Sequence, residues 1–215
     1  MEKLNPFELL KCLAETEEET ILRRGRTERD YTSKGKPFED WICKQIKAHS
    51  KEVTINARGN WLSFIPHKDY IKAKKKWAKI LSSMSDIGVM WNAEVQIIIE
   101  AGYRTQFYYN NDKEPPCKCV DWEKTHVNLP NYDVERFLKI HEKFPKIQYW
   151  IFIGNKNNIF AIVKLEEWLK HSFKDYNTAF KLLGDNPEQS VICLKQTPHY
   201  ESLEEWTSKA SGIPT

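Results

Sequence analysis

Apolar residues recur along this chain at two spacings, helical and strand-like, with polar breaks between. Residues 5–24 have the first spacing. Asn5 suits a helix cap and Pro6 a first turn, and Phe7, Leu9, Leu10, Leu13, Ile21 and Leu22 form an incomplete apolar face around the acidic run Glu15–Glu19. Residues 23–36 (RRGRTERDYTSKGK) are polar and basic and contain two glycines, which predicts a loop or arm. A second helix is expected over 37–49. There Phe38, Trp41, Ile42 and Ile46 share a face, and Glu39 lies beside it. A strand is expected over 52–55, closed by Arg58-Gly59-Asn60, with 61–65 offering a continuation of the sheet. A long helix over 69–84 would carry the stripe Ile71, Trp77, Ala78, Ile80 and Leu81. Lys68, Lys72, Lys74, Lys75, Lys76 and Lys79 cover much of the rest.

The pattern then switches to strands. Residues 87–91 and 94–99 flank the polar break Asn92-Ala93, and the second run is rich in β-branched residues. A loop is expected over 110–130 and a helix over 133–144, ended by Pro145. The continuous apolar run KIQYWIFI, 146–153, predicts a central strand. Residues 154–158 read as a hairpin turn and 159–165 as the returning strand. A helix over 166–173, a short last strand over 190–194 and a terminal helix over 202–210 complete the chain. No internal repeat is visible. The order predicts an α/β protein with a mixed central β-sheet flanked by helices, not a run of βαβ units. It divides into an N-terminal helix and basic arm, 1–35, and one α/β domain, 36–215.

Composition narrows the classes. The 215 residues are enough for one domain with a proper core. With 33 basic and 30 acidic residues, the formal charge of +3 excludes a polybasic, histone-like chain but permits a local basic face. Five cysteines, Cys12, Cys43, Cys117, Cys119 and Cys193, are odd in number and lack disulfide-like spacing, which favours a reducing cytosol. The N-terminus has no apolar signal core and no run approaches a membrane span, so a cytoplasmic protein without a membrane partner is expected. Cys117-Lys118-Cys119 with His126 falls short of a four-ligand zinc pattern.

The candidate chemistry lies at the hairpin. Asp86 opens its first strand and Glu100 follows the apolar run of its second, so pairing about Asn92-Ala93 brings the two carboxylates near each other. Such a pair repels unless a cation lies between, and a hard cation such as Mg²⁺ (or Mn²⁺) is the usual one. The competing reading is two solvated strand-end charges. The lysine helix, with Lys68, Lys72, Lys75, Lys76 and Lys79, and the arm, with Arg24 and Arg26, suit a nucleic-acid backbone, where lysines displace condensed counterions. The competing reading is a solvated linker for the arm and, the commoner case for a single helix, a solubilising lysine face. Tyr108 and Tyr109 offer stacking.

Element order and residues together resemble the PD-(D/E)xK nuclease superfamily, which includes restriction endonucleases and archaeal Holliday-junction resolvases. The likeness spans residues 36–165. It rests on Glu39 in the early helix (GKPFEDWI), Asp86 on the meander and Glu100 after VQIII, where the acid of the (D/E)-x-K element would stand. The resemblance implies a restriction endonuclease-like fold and Mg²⁺-dependent hydrolysis of DNA. It makes Asp86 and Glu100 metal ligands, the Ala101 carbonyl a third, and Glu39 the holder of a second ion or a bound water. The family lysine would fall at Gly102. Arg104 or Gln106 could fill its place, Lys139 could reach in from the next helix, or the site is inactive. The frame Glu94-Val95-Gln96 ranks lower, because it puts the acid beside the turn. The expected function is a metal-dependent DNA endonuclease working as a homodimer, since cutting two strands calls for two sites. An inactive nucleic-acid binder on a degenerate nuclease fold and a plain interaction module are the rivals.

Overall fold

The computed structural model describes residues 5–24, 35–57, 64, 67–77, 86–103, 126–155, 157–172, 189–194 and 197–215. In chain order the elements are α1 (Pro6–Arg24), α2 (Gly35–His49), β1 (Thr54–Ala57), α3 (His67–Trp77), β2 (Ile87–Trp91), β3 (Glu94–Tyr103), β4 (His126–Pro130), α4 (Asn131–Lys143), β5 (Gln148–Asn155), β6 (Asn158–Lys164), α5 (Leu165–Ser172), β7 (Gln189–Cys193), β8 (His199–Tyr200) and α6 (Leu203–Lys209). The protein is an α/β structure built on an open mixed sheet.

That sheet has six strands in the order β1-β2-β3-β5-β6-β8. All neighbours are antiparallel except β3 and β5, which run parallel from Ile97↔Gln148 to Tyr103↔Gly154. The β2–β3 hairpin turns on Asn92 and Ala93 with φ of 53° and 60°. Two consecutive left-handed residues match the right-handed twist of the flanking strands. β3 is longer than the apolar run suggested and continues through Tyr103. The later hairpin is tighter than expected, because Asn155 already pairs with Asn158.

Both sheet faces are covered, which explains the continuous apolar run of β5. Tyr149, Ile151 and Ile153 enter one core cluster with Leu9, Leu10 and Leu13 of α1, Trp77 of α3, and Val134, Phe137 and Leu138 of α4. Trp150 and Phe152 enter the other, with Phe38, Ile42 and Ile46 of α2 and Trp206 of α6. Trp206 meets Phe152 and Trp150 edge-on at centroid distances of 4.9 and 5.7 Å. Its helix starts on Ser202, whose Oγ accepts the Glu205 N–H. At the other end of the chain, Asn5 Oδ1 accepts the Phe7 N–H and so caps α1 as expected.

Four expectations are corrected. β1 lies two residues later than the predicted strand. The stretch expected as loop contains β4, which pairs with β7 in a separate two-stranded sheet, so neither belongs to the central one. The chain's last strand is β8, not β7. On α3 the inward residues are Ala73 and Trp77, whereas Ile71 is 68% exposed. Trp77 packs on Phe7 of α1 with centroids 5.5 Å apart, and that contact sets the helix phase. Among the described residues no helix is long and apolar enough to cross a membrane.

Candidate functional site at the β2–β3 strand ends

Ile87 pairs with Ile99, so the next positions outward, Asp86 and Glu100, face each other across the hairpin. The turn and a β-bulge together determine this meeting: the register shifts by one between Val89 and Met90, leaving Gln96 as the extra residue on β3, and without that shift Asp86 would face Ile99. Alternation along β3 then sorts the faces. Ile97 and Ile99 join the cluster under α2, Ile98 joins the cluster under α4, and Glu100 shares the face of Ile98.

Each carboxylate is held by one oxygen. Asp86 Oδ2 accepts the Ala101 N–H at 2.8 Å. Glu100 Oε2 accepts from Nη2 of Arg136 on α4 at 3.0 Å. Among the described residues Asp86 Oδ1 and Glu100 Oε1 have no hydrogen bond. In a strand the N–H and C=O of one residue point to the same side. The Ala101 carbonyl therefore points to the β2 side of β3, with its N–H, and away from the ladder with β5.

Glu39 lies on α2, which packs against the opposite face of the sheet, and is only 1% exposed. It is buried within the apolar face, not beside it. Asp86 experiences all of these charges. Burial chiefly pushes its carboxyl well above the usual range, the neighbouring carboxylates Glu100 and then Glu39 push it further, and the Ala101 N–H and Arg136 pull the other way. Tyr149 on β5 is also raised, first by burial, and its hydroxyl has no hydrogen-bond partner among the described residues.

The site thus gathers Asp86, Glu100 and Ala101, with Glu39 within electrostatic reach. Lys139 lies one turn along α4 from Arg136, and its ion pair, at 2.5 Å, is with Glu19 of α1. Arg104, Gln106, Tyr108, Tyr109, Arg26, Lys79, Cys117 and Cys119 lie outside the described residues, and of Arg24 only the backbone, at the end of α1, is described. Lys68, Lys72, Lys75 and Lys76 are exposed on α3, away from the hairpin in sequence. Lys72 lies over the Phe7 ring at 5.4 Å and Lys76 over Trp77 at 5.1 Å, so part of the lysine face rests on aromatic surface.

Sequence reasoning missed Arg136, although a signal for it exists. It precedes Ile140 by four residues and so falls on the buried stripe of α4, where a guanidinium requires a partner.

Among the described residues no three of His, Cys, Asp and Glu stand close enough to form a metal-binding group by themselves. The donor set is two hard carboxylate oxygens and a carbonyl. That suits an ion such as Mg²⁺, which keeps several waters and is commonly bound through one or two carboxylates. Comparison with known proteins gives no match: no family model, characterised protein or solved structure corresponds to the chain.

Proposed function

We propose that the chain is a metal-dependent endonuclease that hydrolyses DNA phosphodiester bonds on a restriction endonuclease-like core of the PD-(D/E)xK kind. The observation that carries the reading is the Asp86–Glu100 pair. The two acids face each other across one hairpin, each with one oxygen tethered and one open. A fully solvated pair would have neither tether, and it would not raise Asp86 by burial. The order of β1-β2-β3 followed by β5 parallel to β3 adds support.

A Mg²⁺ or Mn²⁺ ion bound here would supply Lewis acidity at the phosphate and lower the pKa of the attacking water. Asp86 Oδ1, Glu100 Oε1 and the Ala101 carbonyl would hold it, with Glu39 contributing charge from the other side of the sheet. The tethers fix both carboxylates in advance, so little side-chain freedom is lost on binding. Lys68, Lys72, Lys75 and Lys76 would meet the phosphate backbone and make affinity fall with salt. In this reading two copies act together as a homodimer on duplex DNA.

Gly102 favours a second reading, an inactive nucleic-acid-binding protein on the same core. A Cβ there would meet the Phe152 carbonyl oxygen at 3.6 Å and Ile153 Cγ1 at 4.0 Å, which is ordinary contact. No steric demand excludes a lysine from this position. The two readings separate in one assay: Mg²⁺- or Mn²⁺-dependent nicking of supercoiled and branched DNA by the native chain, Asp86→Ala and Glu100→Ala. The nuclease reading expects cleavage lost in both variants with DNA binding retained. Cleavage surviving both changes would refute the assignment, and native binding without cleavage would select the inactive binder.

A further inference from the structure

Arg136 belongs to no motif in the chain. Its side chain is 3% exposed, yet its neighbours on α4, Val134, Phe137, Leu138 and Ile140, already form a complete apolar face. Packing alone does not require a guanidinium there, and burying one is costly unless it is paired. Its Nη2 lies 3.0 Å from Glu100 Oε2, on the carboxylate that faces Asp86. The guanidinium is planar and charged at every accessible pH, so it orients a carboxylate more firmly than a lysine ammonium does. The strand itself offers no cation at this point, because the residue two beyond Glu100 is Gly102.

We infer that Arg136 is the positioning residue of the site. By holding Glu100 Oε2 it fixes how Oε1 is offered to a divalent cation, and it supplies the fixed positive charge that β3 lacks. The inference rests on the nuclease reading. An apolar side chain at 136 would still fill the space under α4 but would leave Glu100 free to rotate and to bind through both oxygens. Arg136 therefore decides where the ion sits and leaves its binding to Asp86 and Glu100.

The test uses the full chain, Mn²⁺ alone as a spectroscopic probe, and supercoiled DNA as substrate, with Arg136→Met and Arg136→Lys as variants. Arg136→Met is expected to bind Mn²⁺ with an altered electron paramagnetic resonance spectrum. Its kcat per folded molecule should fall about 100-fold at unchanged KM, the scale of a misplacement of about 1 Å. Arg136→Lys should recover part of that loss. An unchanged Mn²⁺ spectrum with kcat within about threefold of native would overturn the inference, since misplacement costs far more than that. So would a loss of activity that only tracks the unfolded fraction, which would make the pair purely structural. A native chain that neither binds Mn²⁺ nor nicks DNA would overturn the nuclease reading and this inference with it. An active native chain with indifferent Arg136 variants would overturn the inference alone.

Discussion

Replacing Asp86 by Asn should stabilise the metal-free protein. Cross-strand partners place their Cβ atoms about 5 Å apart. At an effective dielectric of about 20, a like charge at that separation costs about 3 kcal/mol. Arg136 offsets part of the repulsion from Glu100, and Glu39 adds to it. Asn keeps an oxygen that accepts the Ala101 N–H, so the 2.8 Å tether survives the change. The expected gain is about 1–3 kcal/mol at pH 7 in EDTA, and each kcal/mol is about 2–4 °C of Tm for a chain of this size.

The pH dependence fixes the sign. Folding raises the Asp86 pKa above its ordinary 3.8. Between that value and the folded pKa, the native state holds a proton that the unfolded chain has released. Native stability therefore falls as pH rises through this window, relative to a chain lacking the group. Asp86→Asn lacks the fall, so its stability curve should meet the native one in acid and lie above it near neutrality. Saturating Mn²⁺ should then reverse the order, because ligand at about 1,000 times Kd stabilises the binding form by about 4.1 kcal/mol, more than the gap. Urea melts across pH, with EDTA and with Mn²⁺, measure all three effects. An Asp86→Asn protein less stable than native at pH 7 in EDTA, or a gap independent of pH, would refute the account of a repelling, half-buried carboxylate cluster.

Two further predictions concern the frame that holds the site. Ala93 stands at φ 60°, where an L side chain costs about 1–2 kcal/mol, so Ala93→Gly should raise stability by about 1 kcal/mol in urea melts despite the added chain entropy; a loss of stability would mean the turn is not left-handed. At Gly154 a Cβ would lie 2.1 Å from the Asn158 carbonyl oxygen and 2.9–3.0 Å from the Phe38 ring, so Gly154→Ala should cost at least about 1–3 kcal/mol; native-like melts would mean α2 does not seat on the β5–β6 end.

What was legible in the sequence was local or doubly buried. The β2–β3 hairpin could be read because both strands and their two-residue turn lie within seventeen consecutive residues, and that placed Asp86 near Glu100; the one-residue shift at Val89/Met90 that sets them directly opposite has no signature in the apolar pattern. β5 could be read because every position from Tyr149 to Ile153 faces one core or the other. β4 could not, because its short segment becomes a strand only by pairing Val127 with Ile192, far along the chain. The phase of α3 was misjudged for a related reason. Ile71 and Trp77 are both apolar, and the contact of Trp77 with Phe7, seventy residues earlier, determines which is buried. Arg136 was passed over because reading for apolar periodicity treats every charge as exposed.

The topology gives a reason why the cation beside Glu100 comes from α4. β3 and β5 are parallel, so the chain must leave the end of β3 and return across one face of the sheet before β5 can start. α4 lies on that return and packs on the face that carries Ile98. Glu100 shares that face, so a helix covering it would bury an ionised carboxylate unless it brought a partner. Arg136 is that partner, three residues before Lys139, which has an ion pair with Glu19 of α1. Glu39 arrives from the other layer on α2, and Asp86 from the neighbouring strand. A carboxylate site at the end of β3 is therefore built from four elements, and only the hairpin part of it is written in consecutive residues. The arginine that pairs with Glu100 is brought by the crossover and not by β3, so the spacing along β3 could not reveal it.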